Sequence, residues 1–242
     1  MRRLVTIVLV SSSVAACATD GGESIIVLKN VIPGAGCTFS SSESEGFVTH
    51  GTLDISRDAP YLFAGQMKSR LILNADPTGT GAGTSDADAK TIFMRSANID
   101  LAFPNPPTGV NVSGLPADLT HFKKLFSAVL RPAAITDATF ELIPADLAKA
   151  IYTANPMAPN IEVEATFTVI GDVGGDTVSS QPFVFPVTLG VGLSRNNAGV
   201  CPLPKGTTVR TGNVCNNAQD GVIDCCTDAT TNALTCPAVI AP

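Results

Sequence analysis

The residues of this chain able to do chemistry are few. Catalysis by an imidazole must use His50 or His121, because the chain has 2 histidines. His50 falls on the polar-side register of Phe47 to Ile55, FVTHGTLDI, where a solvated or cross-strand role is the ordinary reading. His121 stands beside Lys123 and Lys124, and an exposed side chain is again the default. Asp54, Asp100 and Glu162 are the carboxylates that a hydrolase would use, but each alternates with apolar residues, the pattern of solvated strand positions. No G-x-S-x-G elbow, H-E-x-x-H pair or P-loop occurs. The piece GTGAG lacks the following helix and βαβ setting of a dinucleotide fingerprint.

Two oxygen-rich groups invite calcium. Asp76, Asp86 and Asp88 flank the glycine-rich run Thr78 to Ser85. Asn216 to Asp224, NNAQDGVID, places Asn216, Asp220, Gly221 and Ile223 in faint EF-hand register. In the second group Ala218 replaces a ligand and Thr227 stands where a bidentate Glu is needed, so a hydrogen-bonded turn is the better reading. No catalytic residue, metal or cofactor is expected.

The 7 cysteines are more informative. Residues 1–16 begin with Arg2 and Arg3, continue through LVTIVLV and end in small residues, the layout of a cleaved secretory signal. That apolar run is far short of the roughly 20 residues a membrane-spanning helix needs. The twin arginines lack the flanks of a twin-arginine signal. Val14-Ala15-Ala16-Cys17 resembles the bacterial lipobox, which makes Cys17 the acylated first residue of the mature chain. Two or three acyl chains give durable attachment, at about 0.8 kcal/mol per buried methylene. Ala18, rather than Asp, follows Cys17, which favours the outer membrane, periplasm-facing or at the cell surface.

With Cys17 assigned to lipid, Cys37, Cys201, Cys215, Cys225, Cys226 and Cys236 remain. An even set in an exported chain points to disulfides. Their connectivity is open, although adjacent Cys225 and Cys226 would strain a mutual bridge. Because all but Cys37 lie beyond residue 200, full bridging ties Cys37 to the tail. Zinc is disfavoured by the missing C-x-x-C spacing and the oxidising compartment.

These residues need a scaffold, and the periodicity supplies one. In Ile161 to Val169, IEVEATFTV, every odd position is apolar and every even one polar, a strand with one wet face. GDVGGD then supplies turn chemistry, and Pro182 to Val191 resumes the alternation, giving a hairpin with a long loop. Pro182 and Pro186 place that second strand at an edge or bulge. Phe47–Ile55, Tyr61–Leu73 and Thr91–Phe103 alternate less cleanly. Ile25–Ile32, Phe126–Leu130 and Ala138–Ile143 complete the set of strands. A helix is predicted over Pro144–Ala154, and Leu115–Phe126 is ambiguous. The fold class is all-β: an Ig-like β-sandwich of about eight or nine strands with one or two short helices and a disulfide-rich C-terminal tail. The domains are a signal at 1–16, a lipidated tether at 17–24, the sandwich at 25–193 and a Cys-rich, loop-rich tail at 194–242.

The formal charge of −6 becomes −8 once Arg2 and Arg3 leave with the signal. That excludes nucleic acid as partner, which needs a basic patch, and argues against docking on anionic lipid through charge. The lipobox, then Cys37, Gly51-Thr52-Leu53-Asp54-Ile55, Tyr61, the strand PFVFPVT from Pro182 to Thr188, and Gln219-Asp220-Gly221 leading to Cys225-Cys226 together resemble an uncharacterised family of myxobacterial-type cell-envelope lipoproteins. Relatives carry extra cysteines where this chain has Gly190-Val191-Gly192-Leu193, so no disulfide pattern is transferred. The resemblance implies no activity. The expected function is therefore a non-enzymatic binding or structural module, membrane-held through its N-terminal lipid and facing a protein or glycan ligand. An envelope-polymer hydrolase is the rival, and it requires carboxylates that converge in a cleft.

Overall fold

A computed structural model of the protein describes residues 23–72, 89–157 and 159–240. Cys17 and the Asp76, Asp86 and Asp88 group lie outside the described residues. Among those described, the chain is an all-β sandwich built on the long strand β8 (Ile161–Val173). Its predicted alternation holds: Ile161, Val163, Ala165, Phe167 and Val169 are all buried. One edge of β8 pairs antiparallel with β5 (Ile92–Ala102), which pairs with β6 (His121–Leu130). The other edge pairs first with β10 (Phe183–Gly190), beside which β3 (Gly51–Asp54) runs parallel. This makes one layer, β6-β5-β8-β10-β3.

The second layer starts from the same strand. At Ile170–Val173 the free edge of β8 takes β9 (Asp176–Ser180), which passes to β1 (Glu23–Val31) in parallel, then to β4 (Tyr61–Ser69) and β7 (Ile135–Ile143). A short β2 (Phe47–Val48) pairs with the end of β1. Side chains from both layers meet around Phe63, whose ring lies 5.5 Å from Phe140, 4.8 Å from Phe167 and 5.3 Å from Phe185. The last two are edge-to-face pairs, which add about 0.5–1.5 kcal/mol each beyond their burial. The sheets do not close. β6 and β7 approach without a ladder, and the seam is held by the stacked Phe126–Phe140 pair at 5.1 Å and the Lys124–Glu141 ion pair.

β1 sets two poles, its nine residues separating Glu23 from Val31 by roughly 27 Å. At the Glu23 pole lie the ends of β4, β6 and β8 and the start of β5. At the other pole, helix α2 (Ala145–Ala154) caps the core with Leu147, Ala148 and Ile151, beside a 3-10 turn at Ile55–Arg57.

Several expectations need correction. Only Ala117–Thr120 (α1) of the ambiguous segment is helical, and the alternation of β6 takes over at His121. The run from Phe47 breaks into β2, β3 and the 3-10 turn, because the Asp54 side chain caps that turn through the Ser56 N–H. GDVGGD makes a tight turn, Gly174 and Gly175 both having positive φ, and β9 intervenes before β10. β10 is flanked by β3 only from Val187 onward, so Pro186 withholds no ladder bond on that side. The tail, which shows no alternation, nonetheless forms a three-stranded sheet of β11 (Arg195–Val200), β12 (Ile223–Thr227) and β13 (Leu234–Thr235), over a small core of Leu203, Cys226 and Ala238.

Candidate functional site

The far pole gathers the residues that the sequence brought forward. All six remaining cysteines are bridged: Cys37–Cys215, Cys201–Cys226 and Cys225–Cys236. Cys37 thus ties to the tail, and the neighbours Cys225 and Cys226 take different partners, as the sequence requires. The Cys37–Cys215 bridge lays the tail segment 213–221 across the gap between β3 and β4. There it serves as an extra strand. Ala218 C=O accepts from Asp54 N–H (2.8 Å), and Asp220 N–H donates to Thr52 C=O (3.0 Å). On the β4 side the Gln219 amide takes the place of a backbone: its Oε1 accepts from Leu62 N–H (2.7 Å), and its Nε2 donates to Leu62 C=O (2.9 Å). Asn216 Nδ2 donates to Pro60 C=O (2.6 Å).

Asp220 closes the arrangement from a left-handed backbone position. Its carboxylate accepts from the Tyr61 hydroxyl (2.6 Å) and from Thr52 N–H (2.8 Å). Burial pushes its pKa up, against the opposing pull of those donors, Gln219 and the charge of His50. Burial, and then the Asp220 charge, push the Tyr61 phenol far above its ordinary value, so Tyr61 is a fixed donor. Two glycines of the quoted motifs have steric reasons. A Cβ on Gly51 would meet the Tyr61 hydroxyl and ring at 2.5–2.7 Å, and one on Gly221 would meet Asn213 N at 2.7 Å. The Asn216–Asp224 group is therefore a hydrogen-bonded insert, its Asn216 and Asp220 occupied by protein partners. Asp224, at its end, holds Arg210 in a two-pronged pair, whose hydrogen bonds keep the carboxyl far below the usual range.

Asp54 corrects the sequence reading, since it is buried and not solvated. Its oxygens accept from Ser56 Oγ (2.6 Å), Gly192 N–H (3.0 Å) and Ser194 Oγ (2.8 Å), fastening β3 to the start of the tail. Burial raises its pKa, but the hydrogen bonds from Ser56, Ser194 and Gly192 outweigh burial and hold it below the usual carboxylate range.

His50 stands next to this insert. Its Nε2 lies 2.6 Å from Thr188 Oγ1 and 3.4 Å from Glu162, and Thr188 Oγ1 lies 2.7 Å from a Glu162 oxygen. A nucleophile–base–orienter relay needs the carboxylate on the opposite ring nitrogen. Here the carboxylate and the hydroxyl address the same nitrogen, so the three form a clasp that joins the residue before β3 to β10 and β8. Asp100 pairs with His121 Nδ1 (2.7 Å) out on β5 and β6. Asp54, Asp100 and Glu162 thus belong to three separate networks, and no cleft brings two of them to one reacting atom among the described residues.

Beside the insert a cleft of about 170 Å³ opens between Ile32, Pro33, Val48 and Val214, with Asn213 and Asp220 at its polar side. Sequence reasoning did not anticipate it. Its one available signal was the pair of apolar residues, Ile32 and Val214, each next to a turn residue.

Fold and site define an exported, disulfide-locked β-sandwich whose own tail completes its sheet, and such bridges persist in an oxidising compartment. No protein-family model, curated protein or solved structure matches the chain. No helix among the described residues is long and apolar enough to cross a membrane.

Proposed function

We propose that the protein is an outer-membrane lipoprotein, anchored through acylated Cys17, whose sandwich is a non-enzymatic binding or structural module of the cell envelope. The resemblance to myxobacterial-type envelope lipoproteins supports the same reading. The observation that carries it is the layout of β1. This strand starts at Glu23, a few residues after the lipobox cysteine, and runs through the domain to Val31. Its start holds one pole near the lipid, and its end carries the cleft and the locked tail outward, where a protein or glycan can reach them. A rigid, pre-formed surface loses little entropy on binding.

Two experiments test this. Cys17→Ser should abolish acylation, read by intact mass, and release the protein from membranes, whereas detergent-resistant anchoring of that variant sinks the lipid reading. Cross-linking in intact envelopes, with wild type and with Val214→Asp at the cleft, tests the binding reading. A partner captured by wild type and lost with V214D supports it.

A further inference from the structure

We propose that the Glu23 pole seats directly on the lipid surface through an apolar face made by Phe93, Val129 and Ile72, a contact that rests on the Cys17 anchor proposed above. Register places Phe93 and Val129 opposite one another at the end of the β5–β6 pair. Phe93 points outward, since its neighbours Ile92 and Met94 are buried. Leu71 C=O accepts from Ala133 N–H (2.8 Å), which brings Ile72 against the turn that follows β6, and Lys90 Nζ donates to Ile72 C=O (3.0 Å). The three side chains are 56%, 47% and 69% exposed, and Phe93 shares such exposure with one other phenylalanine of the domain, Phe47 at the opposite pole. Alongside them an open cleft of about 380 Å³ is lined by Val129, Arg131, Ala134, Ile135 and Thr136.

Chain length and charge select lipid as the occupant. Six peptide steps separate Cys17 from Glu23, a reach of at most about 22 Å at 3.6 Å per residue. The pole is therefore confined next to the bilayer, and a contact too weak to hold a free protein becomes populated at such an effective concentration. Among the described residues the charges there largely cancel. Arg70 pairs with Glu23 (3.5 Å) and Arg95 with Asp172 (3.0 Å). An acidic chain would be repelled by anionic headgroups through its overall field, but the described residues of this pole offer a near-neutral apolar surface with Arg131 lining the cleft beside it. Phenylalanine and aliphatic side chains partition at the headgroup–acyl boundary.

The chain contains no tryptophan, so Phe93→Trp creates a unique reporter. Met157→Trp is the control, because Met157 is 92% exposed and follows α2 at the opposite pole. Both variants of the full acylated chain are placed on phosphatidylethanolamine–phosphatidylglycerol vesicles whose acyl chains carry bromine. F93W fluorescence should fall at least twofold against unbrominated vesicles and shift to the blue, M157W should not respond, and Ile72→Asp in the F93W chain should restore the emission. If the chain floats with the vesicles yet F93W is quenched no more than M157W, the anchor stands and the seat is wrong. If the chain proves unacylated, the anchor reading fails. The seat, which needs the confinement that the anchor supplies, falls with it. An F93W emission already blue without vesicles also overturns it, since protein, from this chain or a second copy, would cover the face.

Discussion

Gln219→Ala tests whether the tail is a working strand of the sandwich. Gln219 is buried, and its amide bonds both Leu62 N–H and Leu62 C=O. Truncation leaves these two backbone groups, and one of the two bonds of Asn216 Nδ2, without partners at a half-buried edge. A buried donor or acceptor left unpaired costs about 1–3 kcal/mol. Two groups at a site that water partly reaches give about 2–4 kcal/mol. With a urea slope of about 1–3 kcal/mol/M, the unfolding midpoint should fall by roughly 1 M with the slope unchanged. Hydrogen exchange locates the effect: the Leu62 amide should lose protection, while Asp54 N–H, bonded to the Ala218 carbonyl, keeps most of its own. Gln219→Glu adds a sign. At neutral pH its carboxylate still accepts from Leu62 N–H but repels the Leu62 carbonyl. In acid the carboxyl donates to that carbonyl, so this variant should recover stability as pH falls. A midpoint shift below about 0.2 M for Q219A, or unchanged Leu62 protection, refutes the strand role.

Breaking the Cys37–Cys215 link by a double Ser substitution opens a loop of 178 residues and should cost up to about 5 kcal/mol in urea unfolding, by the chain-entropy argument. Alkylation of the unfolded wild-type chain without reductant should find none of the six described cysteines free. Asp137→Asn should stabilise by about 1 kcal/mol at neutral pH. Asp137 Oδ1 and Gln66 Oε1 are buried acceptors without donors on register-paired residues, and the new amide supplies a donor. Burial raises the Asp137 pKa, so its contribution is present in acid and lost as pH rises through the raised value; the advantage of D137N should vanish in acid, in paired urea titrations. Asp54 has the opposite sign. Its folded pKa is lowered, so its stabilisation is present above the ordinary carboxylate pKa of about 3.9 and lost as pH falls below it. Asp54→Asn should cost about 2 kcal/mol at pH 7, because an amide N–H then faces donors, and should flatten the acid limb of the stability profile.

Local rules carried much of the fold. The alternation of Ile161 to Val169 is the burial pattern of β8 itself, and Pro144 with Leu147 and Ile151 marked α2 to within one residue. Cysteine count and position tied Cys37 to the tail because only pairing parity was needed. What stayed hidden depends on contacts far apart in sequence. Leu115–Phe126 reads ambiguously because Leu125 stands on the exposed register of β6 and Lys124 on the half-buried one, where it pairs with Glu141, so residue type and face do not alternate together. Asp54 reads as a solvated strand position because the donors at Gly192 and Ser194 that justify its burial lie 138 and 140 residues away. The near signal was there: Asp54 two residues before Ser56 is a local capping pattern. Gln219 could not be read as a strand at all, since a side-chain amide standing in for a backbone leaves no periodicity.

The two flaws of this sandwich are mended by different means. An unpaired strand edge is a template for association, and proteins cover or charge such edges. Between β3 and β4 the cover is backbone and amide hydrogen bonding from the tail, made permanent by Cys37–Cys215 and reinforced by the Asp54 and Asp220 networks. Between β6 and β7 the cover is one aromatic stack and one ion pair, with no ladder and no bridge. The rigid repair lies at the pole that carries the cleft, and the soft one runs down to the Glu23 pole. Covalent closure fixes the surface at the cleft pole in one shape. The unladdered seam ends at Val129 and Ile135, where the neighbouring surface on our reading is lipid, and a surface that must adapt to a fluid layer gains nothing from being locked.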